Sequence, residues 1–98
     1  MRIKVDRAVW PELDAIVGRY EAARPGLGEA FLAAFDDALA TIANHPTAWA
    51  TWQWGAAIEP PLRHFVMPRF PYVIGYQVTA DAVVVSHVVH GRRRPGRR

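Results

Sequence analysis

His64 and His90 are the side chains best suited to move a proton at neutral pH, because imidazole titrates near that range. Near them in the chain lie Arg63, Arg69, Arg92, Arg93 and Arg94, with Tyr72 and Tyr76 between. Arginines hold phosphates and aromatic rings stack, so this set suits binding of a polyanion. The same set suits RNA cleavage. That reaction needs a base for the 2′-hydroxyl, a cation for the crowded phosphate and an acid for the leaving oxygen. In that reading His64 or His90 is the base, and Arg69 or Arg92 clamps the phosphate. For either histidine taken alone, a hydrogen bond inside the sheet is the better account.

Other chemistries are poorly served. The chain has 98 residues and no cysteine, so it has neither a disulfide framework nor thiolate metal ligands. His87 and His90 stand three apart on an expected strand, which points them to opposite faces, and no carboxylate cluster lies nearby. No metal or cofactor is expected. There is no glycine-rich phosphate loop before a helix and no Gly-x-Ser-x-Gly elbow.

Net charge is +3 at pH 7, but it is unevenly spread. Residues 1–61 carry five basic and eight acidic side chains, a net of −3. Residues 62–98 carry seven arginines against Asp81 alone, a net of +6. Such a split suggests an anionic partner for the C-terminal part, either nucleic acid or an acidic protein segment. A solvated basic tail that aids solubility is the plainer alternative. No apolar run reaches the ~18 residues of a membrane helix. Residues 1–6 lack the apolar core of a signal peptide, so a cytoplasmic location is expected.

The elements that must position these residues follow from periodicity. Tyr72, Ile74, Tyr76 and Val78 alternate with Val73, Gly75 and Gln77, which predicts a central strand with its heavy face against helices. Pro71 donates no ladder bond and belongs at that strand's start. Residues 1–5 predict a short strand, and Asp6 offers a helix cap. Pro11 fits only a first helical turn, so a helix starts between Arg7 and Trp10 and buries Leu13, Ile16, Val17 and Tyr20. Arg24-Pro25-Gly26-Leu27-Gly28 turns the chain into a second helix over residues 28–44, with Phe31, Phe35, Ala38, Leu39 and Ile42 inward. Two helices so joined pack as an antiparallel hairpin. A loop holding Trp49, Trp52 and Trp54 follows; these rings either cover the end of the core or offer a stacking platform. Strands over residues 62–67 and 82–90 complete a meander. The result is one α+β domain, β-α-α-β-β-β, with the hairpin on one face of a small, mainly antiparallel sheet. The other face is left at least partly open and is where function is expected.

Several strings resemble one family in order and spacing. They are Pro11-Glu12-Leu13-Asp14, Tyr20-Glu21, Arg24-Pro25-Gly26-Leu27-Gly28, Phe31-Leu32, Ile42, Pro46, Arg69-Phe70-Pro71-Tyr72 and His90-Gly91-Arg92-Arg93-Arg94-Pro95. The chain resembles the RelE/ParE superfamily, toxins of bacterial type II toxin–antitoxin modules, also called plasmid stabilisation proteins. The resemblance implies a small sheet covered by a helical hairpin, and neutralisation by a small antitoxin whose acidic C-terminal segment wraps the toxin. RelE-like members cut mRNA on the ribosome; ParE-like members poison DNA gyrase. RelE-like enzymes carry lysines where this chain has His64 and Val66, an arginine where it has Val73, and a tyrosine near the C-terminus, where it has Pro95-Gly96-Arg97-Arg98. The resemblance therefore implies a ParE-like toxin that binds gyrase. Arg63, Arg69, Tyr72, His90, Arg92, Arg93 and Arg94 are the expected contacts. ParE-like relatives often end in an aromatic pair after Pro-Gly; Arg97-Arg98 stands there instead, which leaves a weakened toxin kept for antitoxin binding as a further alternative.

Overall fold

The structure is a computed structural model and describes residues 1–52 and 58–91. Trp54, Arg92, Arg93, Arg94, Arg97 and Arg98 lie outside the described residues. The elements run β1 (Arg2–Val5), α1 (Val9–Ala23), α2 (Leu27–Asn44), β2 (Leu62–Val66), β3 (Tyr72–Val78) and β4 (Ala82–His90). The sheet order is β1-β4-β3-β2, with β1 parallel to β4 and the other pairs antiparallel. This is the α+β arrangement expected from the periodicity.

Local chemistry sets the boundaries. The Asp6 carboxylate accepts the Ala8 N–H at 2.9 Å and the Asp6 carbonyl accepts that of Val9 at 2.9 Å, so the chain turns from β1 directly into α1. Pro11 falls in the first turn, where its missing N–H costs nothing. Between the helices Gly26 adopts φ +90, a conformation that a β-carbon penalises. The Glu21 carboxylate then reaches across to accept the N–H groups of Gly26 at 2.9 Å and Gly28 at 3.0 Å. An anion at the start of α2 satisfies orphan donors and complements the helix dipole.

The core lies between the hairpin and one face of the sheet. Phe31, Ile42, Ile74, Tyr76, Val83 and Val85 are fully buried, each worth about 1.5–3 kcal/mol for the apolar surface removed from water. On β3 the buried helix-side set is Tyr72, Ile74 and Tyr76, as alternation predicts. On β4 strict alternation fails. Tyr76 pairs with Val85 but Gly75 pairs with His87, which leaves Ser86 as an extra residue in a bulge. The bulge shifts the phase, so Val83 and Val85 face the helices before it, and Val88 and His90 after it.

Candidate functional site

Two places gather the candidate side chains. The first is a cleft of about 670 Å³ between α1 and the second half of β4, along which Glu12, Arg19, Tyr72, Ser86, His87 and His90 present polar groups over a floor that includes Val9, Ile16 and Val88. Its position follows from the sheet. β1 accompanies β4 only as far as Val85, where the Asp6 N–H closes the ladder on the Val85 carbonyl at 2.8 Å. Beyond that point the chain has left for α1, and the space beside residues 86–90 is open.

Within the cleft Arg19 Nη2 donates to the Tyr72 hydroxyl at 3.0 Å. The Tyr72 ring is buried edge-on against Phe31 at 5.7 Å and against His90 at 5.4 Å. It is therefore a core ring with a polar tip, not a platform for a base. His90 stands across from Tyr72 in the ladder, at the helix-side mouth. Burial, with the Tyr72 phenol close by, pushes the Tyr20 phenol above its ordinary value against the pull of Arg19.

The second place is the outer face of the sheet. His64, Gly75 and His87 form one row across β2, β3 and β4. The expectation of an open face needs correction at this row, because Trp52 covers it. Its ring lies parallel to His64, centroids 5.4 Å apart with 11° between planes, and meets His87 edge-on at 6.3 Å. Glycine at position 75 makes the room, since a β-carbon there would fall 2.6 Å from Trp52 Cζ3. The His87 Nδ1 lies 2.8 Å from the Ser86 hydroxyl, and burial lowers its pKa although Asp6 pulls the other way. The His64 Nδ1 is buried without a hydrogen-bond partner. Trp49 behaves differently: it packs edge-on against Phe65 at 4.9 Å, covering the end of the core.

The arginines are also dispersed. Arg63 points to the helix side, where its Nη1 donates to the carbonyls of Trp49 at 2.8 Å and Thr47 at 3.4 Å. It fastens the loop after α2. The Tyr76 hydroxyl does the same through the Pro46 carbonyl at 2.8 Å. Burial raises the Tyr76 pKa, against the influence of Arg63, so the phenol keeps the proton that it donates. Arg69 is exposed at the corner between β2 and β3, beside a small hollow of about 110 Å³ that Ala34, Ala38, Phe65 and Asp37 also line. His64 and His90 thus stand on opposite faces, and the structure brings together only Tyr72 and His90 among the expected site residues it describes.

The sequence singled out neither Arg19 nor Glu12 as a site residue. Their i, i+7 spacing with Ile16 between them could have marked one stripe, but nothing in the sequence says that β1 stops short of that stripe. Among the described residues no group of three or more His, Asp or Glu is disposed to hold a metal, and no helix is long and apolar enough to cross a membrane.

Comparison with known proteins fits this architecture. The family model described as the ParE toxin of the type II toxin–antitoxin system, parDE, matches residues 3–95. No curated protein matches. Among solved structures, a chain described as the chromosomal ParDE TA system from P. aeruginosa aligns with a TM-score of 0.76 at 16% identity. The alignment covers 92% of this chain and 95% of that one, a likeness that shows the shared fold. With the family model spanning nearly its whole length, the chain belongs to the ParE toxin family of type II toxin–antitoxin systems.

Proposed function

We propose that this toxin acts by binding DNA gyrase, not by cutting RNA, and that a cognate antitoxin with an acidic C-terminal segment neutralises it. The observation that carries this reading is the make-up of the outer face. At the three sheet positions where a ribonuclease of the superfamily resembled would carry cations stand His64, Val66 and Val73. Val66 is 61% exposed and pairs with Val73, while His64 lies under Trp52. An apolar pair stabilises no phosphorane charge, and a capped histidine has no path to a 2′-hydroxyl. The likeness to a ParDE system supports the antitoxin partner.

The test uses purified chain, gyrase, ATP and relaxed plasmid. Supercoiling should fall, cleaved gyrase–DNA complexes should accumulate, and the product of the neighbouring acidic reading frame should reverse both. Translation arrest with intact supercoiling, together with new mRNA ends lost in His90→Ala, would replace this reading with RNA cleavage. Full growth on induction, with antitoxin binding retained, would replace it with a binding module alone.

A further inference from the structure

We infer that residues 50–52 form a proton-operated latch, with Trp52 as its bolt, which opens the outer face of the sheet when His87 takes up a proton. The segment is a short edge pairing on β2. The Trp52 N–H donates to the Leu62 carbonyl at 2.7 Å, the His64 N–H donates to the Ala50 carbonyl at 3.0 Å, and Thr51 bridges to Arg63. From this edge the indole crosses His64 and rests on Gly75, with His87 at its far side. Adjacent strands lie about 4.8 Å apart, so the two histidines rise from the sheet about 10 Å from each other with the indole between them.

Burial favours the neutral form of the His87 ring. The His64 ring is stacked under the indole, and its buried Nδ1 makes no hydrogen bond. His87 is half-buried, its Nδ1 engaged with Ser86, and desolvation disfavours its charged form. The charged groups that face it among the described residues are Asp6 at the turn into α1, and Glu12 and Arg19 from α1 across the cleft; His90 adds a titratable ring from β4 itself. Of these, Asp6 favours a proton on His87, against the effect of burial. Beside His64, the Arg63 guanidinium is turned away to the loop carbonyls.

The sign follows from proton counting. The closed form binds fewer protons than the open form. Closure is therefore complete above the ordinary histidine value of 6.5 and is lost as pH falls below it toward the lowered value of the closed form. Attraction of a charged His87 to the indole works in the opposite direction, so the experiment has two distinguishable outcomes. Opening would uncover Gly75 and add a cation to the face.

Amide hydrogen exchange of the full chain between pH 7.5 and 5.5, corrected for intrinsic rates, reads the latch at two N–H groups, those of Trp52 and His64. Their opening constants should rise by up to about tenfold per pH unit for each proton taken up, while α2 amides such as Phe35 and Ile42 stay level. The variant His87→Gln should flatten the profile. Gly75→Ala should leave the two amides open at every pH, because the new β-carbon takes the place of the ring. A flat wild-type profile, a profile shared with α2, or tighter protection in acid would each overturn the inference.

Discussion

Tyr76 joins the core to the loop that follows α2. Its ring is fully buried and its hydroxyl fastens Pro46, at the point where α2 hands over to the loop. Tyr76→Phe keeps the ring and removes only the donor, so it measures the fastening alone. The variant should lose about 1 kcal/mol in urea unfolding, the usual net value of one hydrogen bond with a partner left buried. The loop carbonyl should become easier to hydrate, while the aromatic packing against α2 stays. The same residue shows why site residues are hard to read from sequence. Arg63, Tyr72 and Tyr76 have side chains that bind anions or stack on bases in other settings. Here Arg63 and Tyr76 hold carbonyls of one loop, and Tyr72 is tied to Arg19. Residue type announces a capability; the partner that uses it up lies 14 to 53 positions away, and no local pattern records that.

Elements were far more legible than partners. The helical hairpin, the central strand and the valine-rich last strand come from period, caps and turn residues, all of which act within a few positions. What periodicity misses is what depends on two strands at once. The bulge at Ser86 and the early end of β1 are such features, and together they create the cleft. Trp52 is another: its place on the outer face needs glycine at 75, twenty-three positions later. The hairpin itself offers a sharp test. A β-carbon on Gly28 would fall 2.9 Å from the Val17 carbonyl oxygen and 3.0 Å from Val17 Cγ1. Alanine is the better helix former by about 1 kcal/mol, so propensity alone predicts that Gly28→Ala stabilises. Close packing of the two helices predicts the opposite, since overfilling costs about 1–3 kcal/mol. The clash is with backbone, which cannot swing aside. The variant should therefore melt lower, by about 4–8 °C for each kcal/mol lost. A rise in Tm would show that the helices separate at no cost.

At the scale of the whole molecule, charge is the feature that geometry has not absorbed. Residues 62–98 hold seven arginines against Asp81. Arg63 is committed to the loop and Arg69 is exposed at a corner. The other five follow Gly91, whose N–H closes the sheet on the Pro71 carbonyl at 2.7 Å. The polyanion reading therefore rests on Arg92, Arg93 and Arg94 and on the two terminal arginines. Their field reaches about 8 Å at physiological ionic strength, so they act on a partner that comes into contact. Replacing Arg92, Arg93 and Arg94 by glutamine separates the two accounts of this end of the chain. As partner contacts, their loss should weaken antitoxin binding at low salt by tenfold or more, each charge-assisted hydrogen bond being worth about 1.5–3 kcal/mol. The affinity should also fall less steeply as salt is raised. As a solvating tail, they should change solubility and leave both affinity and salt dependence where they were. Isothermal titration at three salt concentrations distinguishes the outcomes, because a direct contact changes the slope whereas a solubility effect does not.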